Sequence, residues 1–192
     1  MPFVPVLLGT TREANKSSAV ARAAHKLLQD QGADTQLLDI GDPLIPPLVE
    51  RRRMLDQVHP AVEAHGQALE RADALVVVVP EYNWGIPGVL KNALDHFLPE
   101  LKRKPVGVIP VSAGGGGGRC ALVQTRTVLS AMGMVVVPET CLIAQVHRLL
   151  DDDGEIGDPD TLAHMGRVVE QVLWWEHAAR LRRALSDGSP GH

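Results

Sequence analysis

Residues 74–97 read ALVVVVPEYNWGIPGVLKNALDHF and contain one complete structural unit. The first six residues are apolar and mostly valine, which is typical of a strand buried on both faces of a parallel sheet. A polar segment, 81–84, follows the strand. Pro87 then suits the first turn of a helix, where its missing N–H has no hydrogen-bonding role. The stretch therefore predicts a strand, a polar tip and a helix, which is the repeating unit of parallel α/β sheets.

The same alternation runs along the whole chain. Short apolar runs predict strands at 3–8, 35–40, 74–79, 106–111 and 134–138. Intervening patterns, several with a glycine just past the end, predict helices at 17–31, 60–71, 87–98, 118–132 and 160–185. Because such βαβ units connect by right-handed crossovers, we expect one doubly wound α/β domain over residues 1–186. We expect residues 187–192 to form a disordered tail.

Composition argues against several classes of function. A net charge of -4 and a pI near 6.0 provide no general attraction to nucleic acid or anionic membranes. The basic runs 51–53 and 180–183 are expected to be solvated faces. No apolar run approaches the roughly 20 residues of a membrane helix. The histidines show no HExxH or similar spacing, so we expect no metal site.

Cysteine usage and the start of the chain predict the compartment. The 2 cysteines have no CxxC spacing. The first residues, MPFVPVLLGT, lack the charged start and long apolar stretch of a signal peptide. We therefore expect a reducing, cytoplasmic setting.

The loop after the first predicted strand, GTTREANKSSAVARAA, has the features of an anion site. Ligands of open α/β sheets bind outside the carboxyl ends of the strands, where this loop lies. The first N–H groups of the next helix are unpaired and partly positive, and Arg12 and Lys16 favour a phosphate. A plain cap by Ser17 or Ser18 beside a solvated Arg12 explains this loop equally well. The loop has neither GxxxxGK[ST] nor GxGxxG, which disfavours a P-loop kinase and a dinucleotide Rossmann site.

Two further loops belong to the same edge of the sheet. In the polar tip 81–84 and Gly85, backbone groups and aromatic faces suit a flat heteroaromatic ring. The loop VSAGGGGGRCAL places five glycines between a strand and a helix. Such a run indicates that something lies against its backbone or that the turn needs positive φ. Three loops of this kind at one edge are stronger support for a ligand site than any one of them.

These loops carry a family resemblance. PEYNWGIPGVLKNALDHF resembles the P-E-Y-[NH]-x-x-x-P/S-G-x-L-K-N-A-[LI]-D signature of flavodoxin-like NAD(P)H-dependent FMN reductases, which include quinone-, chromate- and azo-dye-reducing members. GTTREANKSS resembles that family's G-[ST]-x-R phosphate loop, and AGGGGGRCALVQTRTVLSAMGMVVVPE resembles its glycine-rich third loop with the following helix and strand. The similarity covers roughly residues 3–147. It implies a five-stranded parallel sheet in the order 2-1-3-4-5, with helices on both faces, and a homodimer or homotetramer.

The resemblance also implies a cofactor and its contacts. FMN would be the cofactor, NADPH or NADH the donor, and free flavin, a quinone, an azo compound or a metal oxyanion the small acceptor. The positions that match the phosphate site are Thr10, Arg12, Asn15, Lys16, Ser17 and Ser18. Those that match the isoalloxazine site are Pro80, Glu81, Tyr82, Asn83 and Trp84 on one side, and Ser112, Ala113, Gly114 and Gly115 on the other. The flavin would carry the chemistry, with no catalytic side chain and with donor and acceptor using one flavin face in turn, in ping-pong kinetics.

Several assignments stay open at this level. Many family members have a small residue where this chain has Trp84, whose indole could stack on flavin or substrate, cover a partner subunit or fill core. Arg119 could meet the phosphates of the nicotinamide or lie exposed, and we favour exposure. The Lys91–Asp95 pair is an ordinary i,i+4 pair or an interface contact. In Trp174-Trp175, we expect one indole to pack in the core, while the other, about 100° further round the helix, could contact another subunit.

Two other functions compete with the reductase. A flavodoxin-like electron carrier would bind FMN and take electrons from a protein partner, although such carriers tend to be strongly acidic. A flavin-free scaffold would keep only the fold. Cys120 lies at a helix start, but no recognisable histidine partner supports a nucleophile there.

Overall fold

Five parallel strands form one sheet in a computed structural model that describes residues 1–187. They are β1 (Val6–Leu8), β2 (Leu37–Asp39), β3 (Leu75–Pro80), β4 (Pro105–Val111) and β5 (Val135–Val136). Their order across the sheet is β2-β1-β3-β4-β5, which confirms the expected order 2-1-3-4-5. The strand order reverses at β1, which pairs with β2 on one side and with β3 on the other.

Among residues 1–187, six α-helices cover the two faces of the sheet. They are α1 (Ser17–Asp30), α2 (Pro60–Arg71), α3 (Gly88–Asp95), α4 (Leu98–Leu101), α5 (Arg119–Ala131) and α6 (Pro159–Asp187). Residues of α1 and α6 share one buried cluster, and residues of α2 to α5 share the other. Strand β3 contributes alternate residues to both clusters, with Val76 and Val78 in the first and Val77 and Val79 in the second. This two-sided burial is why β3 reads as an unbroken apolar run.

Gly107 lets α6 pack closely on β4. A Cβ atom added at Gly107 would lie 2.7 Å from a methyl carbon of Val172 and 3.0 Å from one of Val168. Both valines are fully buried. The absence of a side chain at this one position therefore sets the distance between the helix and the sheet.

Proline explains where the observed elements are shorter than predicted. The helix expected over 87–98 ends at Asp95, and a separate short helix, α4, follows. Pro99 has no N–H to donate to the carbonyl of Asp95, so one helix cannot continue through this segment. Pro5 likewise has no donor for the sheet, and β1 begins only at Val6, with one isolated bridge further back between Phe3 and Asp34.

Two expectations about polar and aromatic surface residues were wrong. Arg52, in a run expected to be solvated, is only 11% exposed and contacts the carboxylates of Glu63, Glu70 and Glu100 at 2.8–3.2 Å. One indole of Trp174 and Trp175 was expected in the core, but the two residues are 64% and 37% exposed. The buried face of α6 is formed instead by residues such as Val168 and Val172.

The last helix extends slightly beyond its predicted end. It runs to Asp187, which we expected in a disordered tail. The rest of that expected tail, 188–192, lies outside the described residues. Across residues 1–187, no helix is both long and apolar enough to cross a bilayer.

Candidate functional site

The three polar loops meet in an open cleft at the carboxyl edge of the sheet. The loops follow β1, β3 and β4, which are neighbours in the sheet, so their tips are brought together. The cleft has a volume of about 200 Å³. Nine residues predicted for the site line it: Arg12, Asn15, Lys16, Ser17, Pro80, Glu81, Tyr82, Ser112 and Ala113.

The other six predicted residues lie behind or beside this wall. Thr10 is buried beneath it, and Ser18 lies within the first turn of α1. Asn83, Trp84, Gly114 and Gly115 are exposed and follow lining residues in the chain. Sequence reasoning missed three wall residues, Ala14, Val111 and Val146. Val146 comes from a 3-10 turn at Val146–Arg148, after the last strand, and no motif indicates that this turn folds back onto the cleft.

Asn15 caps the helix that follows the first loop. Its side-chain oxygen accepts a hydrogen bond from the N–H of Ser18 at 2.8 Å, and its amide nitrogen donates to the carbonyl of Arg12 at 2.7 Å. The alternative of a plain cap by Ser17 or Ser18 is therefore wrong. The first turn of α1, SSAV, contains no acidic residue, while Arg12 and Lys16 are exposed beside it. This end of the cleft is suited to an anion.

Thr10 and Tyr82 connect the first loop to the second. Their hydroxyl groups share a hydrogen bond, and Thr10 Oγ1 also accepts from the N–H of Arg12 at 3.2 Å. The guanidinium carbon of Arg12 lies 5.6 Å from the centre of the Tyr82 ring, within the range of a cation–π contact. These contacts hold the positive side chain of Arg12 against the tip of β3.

Glu81 connects the second loop to the third. Its Oε2 atom accepts hydrogen bonds from the N–H groups of Cys120, at 2.8 Å, and Ala121, at 3.2 Å. These are among the first N–H groups of α5, which have no partner within the helix. The carboxylate therefore caps α5 and opposes its positive end, so this oxygen is used by the protein itself.

A tight turn carries Asn83 and Trp84 directly after Tyr82, a lining residue of the cleft. Tyr82 and Gly85 exchange backbone hydrogen bonds of 2.9 and 3.0 Å, and the two residues between them have φ values of 48° and 66°. Two central residues with positive φ are the mark of a type I′ turn. Trp84 is 78% exposed, so it does not fill the core.

Gln124 of α5 braces this turn. Its Oε1 accepts from the N–H of Ile86 at 3.1 Å, and its Nε2 donates to the carbonyl of Trp84 at 3.2 Å. A Cβ added at Gly85 would lie 3.0 Å from Gln124 Oε1, so glycine makes room for this amide. Gln124 was not predicted, because forty residues separate it from the turn.

The five glycines of the third loop divide into two groups. Gly117 and Gly118 have φ values of +64° and +75°, and added Cβ atoms there would lie 2.8 Å from Leu142 and Pro110. Around Gly114, Gly115 and Gly116, an added Cβ meets nothing within 4 Å among residues 1–187. Packing therefore explains the last two glycines only. The first three present open backbone, which is what a closely approaching ligand needs.

The remaining chemical candidates lie outside the cleft wall. Arg119 is exposed at the first residue of α5, as favoured above. Lys91 donates to both oxygens of Asp95 at 2.7 and 2.6 Å within α3. Cys120 and Cys141 are free thiols, and burial raises the pKa of Cys141 to about 11.

Comparison with known proteins agrees with this architecture. The sequence profile described as NADPH-dependent FMN reductase matches residues 3–148. A quinone reductase of Escherichia coli strain K12 is 33% identical over 170 residues, covering 84% of this chain and 88% of that protein. A flavoenzyme NAD(P)H:(acceptor) oxidoreductase from Paracoccus denitrificans superposes with a TM-score of 0.79 at 25% identity, covering 93% of this chain and 99% of the other.

A more distant structure has the same fold. A flavodoxin from the Archaea superposes with a TM-score of 0.59 at 16% identity, covering 90% of this chain and 99% of that one. The family profile spans well over half of the chain, and the quinone reductase is similar along most of both sequences. The chain belongs to the NADPH-dependent FMN reductase family.

Proposed function

We propose that this protein is an FMN-dependent oxidoreductase that takes reducing equivalents from NADPH or NADH and reduces a small acceptor, with a quinone as the first candidate. One observation carries the proposal. One cleft is lined both by the basic start of α1 and by Ser112 and Ala113, which directly precede the open glycine segment. The names of the quinone reductase and acceptor oxidoreductase relatives support the choice of acceptor class.

The donors around α1 fit a phosphate monoester. Arg12 and Lys16 supply positive charge, Asn15 and Ser17 supply polar side chains, and the start of α1 supplies N–H groups. Thr10 and Ser18, in the layer behind, complete the predicted set. A dianionic phosphate gains from each of these features, because none of them introduces an opposing charge.

The second and third loops suit a flat ring. The second loop would supply Pro80, Glu81, Tyr82, Asn83 and Trp84 on one side, and the third loop Ser112, Ala113, Gly114 and Gly115 on the other. The Ser112 hydroxyl donates to the carbonyl of Gly114 at 2.8 Å, which fixes the start of the open glycine segment. The chemistry of the residues present therefore fits both the phosphate and the ring of FMN.

Bound FMN would supply the ring that takes a hydride from the nicotinamide and passes the electrons on to the acceptor. The chain's own residues do the positioning. The Thr10–Tyr82 link fixes the first loop against the second, and the Glu81 cap fixes the second against the third. These two links fix the positions of the three loops relative to one another, so a bound ring would meet a preformed cleft.

Anaerobic titration of the purified protein with NADPH, and separately with NADH, tests the function. We expect a yellow protein, or one that binds added FMN at micromolar concentrations, and bleaching of the flavin absorbance by a nicotinamide alone. A protein that stays colourless with excess FMN contradicts flavin binding. Bleaching that requires a protein partner would indicate an electron carrier instead.

A pair of matched lysine variants tests the phosphate site. We expect Lys16→Ala to weaken FMN binding about tenfold, because it removes a charge beside the phosphate. Lys26→Ala removes the same charge from an exposed position further along α1, and we expect it to bind FMN like the wild type. Equal loss in both variants would show a general effect of charge. The measurement is the dissociation constant from flavin fluorescence quenching.

A glycine variant tests the open loop. Gly115→Ala adds a methyl group where the protein has free space, so we expect unchanged thermal stability without FMN. We expect weaker FMN binding, since the added methyl group would meet the ring. If Gly115→Ala binds FMN as tightly as the wild type, the ring does not lie against this loop.

The assembly and location of the protein form part of the proposal. We propose a homodimer or homotetramer in the cytoplasm. The exposed indoles of Trp174 and Trp175 and the two free thiols support these assignments. Sedimentation equilibrium with and without FMN measures the subunit number, and a monomer under both conditions would contradict the oligomer.

A further inference from the structure

Trp84 carries two energetic costs that the isolated chain does not offset. Its backbone has φ +66°, a left-handed conformation that costs a residue with a Cβ atom about 1 kcal/mol. Its indole is also 78% exposed, which leaves a large apolar surface in water. Glycine would avoid both costs, since Asn-Gly is the preferred pair in a type I′ turn. A strained and exposed aromatic residue beside a ligand cleft indicates a functional role.

The turn presents this indole at a defined place. The Tyr82–Gly85 hydrogen bonds close the turn, and the Gln124 amide holds it on both sides of Gly85. Tyr82, two residues before the tryptophan, lines the cleft itself. The exposed indole is therefore carried by a braced turn that is continuous with the cleft wall at Tyr82.

We propose that Trp84 is a specificity-determining residue whose indole stacks on the flat ring of the electron acceptor. This inference rests on the proposed function, and it narrows the acceptor to planar aromatic or quinoid molecules rather than compact anions. An indole offers a broad apolar face, which stabilises another flat ring by stacking and by removing both faces from water. It offers a hydrated metal oxyanion no comparable contact.

The difference in charge between the two substrates indicates that Trp84 stacks on the acceptor rather than on the nicotinamide donor. A dinucleotide carries phosphates that basic side chains can hold, so stacking supplies only part of its binding energy. An uncharged quinone has no phosphate group for basic side chains to bind. Loss of the indole should therefore weaken quinone binding more than donor binding.

Binding of 1,4-naphthoquinone to the FMN-loaded protein tests the inference without turnover. The change in flavin absorbance under anaerobic conditions, with no nicotinamide present, gives the dissociation constant. We expect Trp84→Ala to raise this constant about tenfold, or about 1.4 kcal/mol. Trp84→Phe keeps an aromatic face in the same turn and is expected to stay within about threefold of the wild type.

Steady-state kinetics provide a second readout. Ferricyanide is a compact octahedral anion with no flat face to stack. We expect the ratio of kcat/KM for naphthoquinone to kcat/KM for ferricyanide to fall about tenfold in Trp84→Ala, and KM for NADPH to change less than KM for the quinone. The FMN content of each variant is measured first, so that loss of cofactor is not mistaken for loss of acceptor.

The outcomes separate this inference from the proposed function. If the wild type binds no FMN, both fail. If the wild type is reduced by NADPH and reduces naphthoquinone while Trp84→Ala binds the quinone equally well, only the stacking role fails. A lower subunit number in Trp84→Ala with unchanged quinone binding would show that the indole covers a second copy of the chain instead.

Discussion

At the residue scale, two glycines of one run differ in their surroundings. Gly118 has φ +75°, and a Cβ there would lie 2.9 Å from the backbone nitrogen of Val111. Backbone cannot move aside as a flexible side chain does, so we expect Gly118→Ala to lower the free energy of unfolding by at least about 2 kcal/mol. Gly116 has open space around it, and we expect Gly116→Ala to be nearly neutral. Urea unfolding measures both, and similar losses would contradict the division of this loop.

Trp84 supports a second residue-scale prediction, about stability rather than binding. Alanine keeps a Cβ at φ +66°, whereas glycine does not. We expect Trp84→Gly to be more stable than Trp84→Ala by about 0.5–1 kcal/mol, after the larger unfolded-state entropy of glycine is subtracted. Thermal unfolding of the two variants side by side provides the comparison. A more stable alanine variant would mean that the turn does not hold residue 84 at positive φ.

At the element scale, the start of α5 depends on a residue from β3's tip. Glu81 accepts hydrogen bonds from the N–H groups of Cys120 and Ala121, and its charge opposes the positive end of the helix. We expect Glu81→Ala to cost about 1–2 kcal/mol. Glu81→Gln can keep one acceptor and should cost less.

Amide hydrogen exchange locates this effect. We expect the N–H groups of Cys120 and Ala121 to exchange faster in Glu81→Ala than in Glu81→Gln. The N–H groups of the middle of α1, on the other face of the sheet, serve as the control and should be unchanged. Unchanged exchange at Cys120 would contradict the cap.

The helices differ in how well the sequence predicted them. The helix over 60–71 follows from local patterns, whereas the order of the strands was implied by the family resemblance. The break between α3 and α4 follows from Pro99, whose effect we underestimated because the apolar spacing continues through it. The outward position of Trp174 was not predictable in this way, because a long helix with weak periodicity does not define which face meets the sheet.

At the scale of the whole molecule, Arg52 connects elements that are distant in sequence. It bonds to Glu63 and Glu70 of α2 and to the buried Glu100 of α4. Gly66 makes room for it, since an added Cβ would lie 2.3 Å from Arg52 Cδ. We expect Arg52→Ala to cost about 3–5 kcal/mol, because it removes the main partner of a buried carboxylate. Arg53→Ala, whose side chain is 49% exposed, is the control and should cost less.

The same cluster predicts how stability changes in acid. The hydrogen bond from Arg52, followed by that from Gln67, lowers the pKa of Glu63 from 4.5 to about 2. The folded protein therefore binds fewer protons than the unfolded chain between these two pH values. The contribution of Glu63 is fully present above about pH 4.5 and is lost as pH falls towards 2. We expect Glu63→Gln to make the acid side of the stability profile shallower, and an unchanged acid slope would contradict this role.

The sequence by itself determined the class of fold, the order of its loops and the family. Valine-rich runs, glycine stops and the PEYN stretch are local patterns, and a parallel sheet brings the loops of neighbouring strands to one edge whatever the other details are. That is why nine of the residues predicted for the site lie on the wall of one cleft.

Only the tertiary structure decided what individual side chains do within that frame. Three hydrogen bonds join residues that are far apart in sequence. Glu81 accepts from Cys120, 39 positions away, Gln124 donates to the Trp84 carbonyl, 40 positions away, and Arg52 donates to Glu100, 48 positions away. From the sequence alone, a polar side chain has several possible hydrogen-bond partners of similar strength. The packing of the helices on the sheet decides which of them it meets. Local sequence thus sets which groups reach the cleft's edge, whereas long-range contacts decide which of them are used by the fold and which stay open to a ligand.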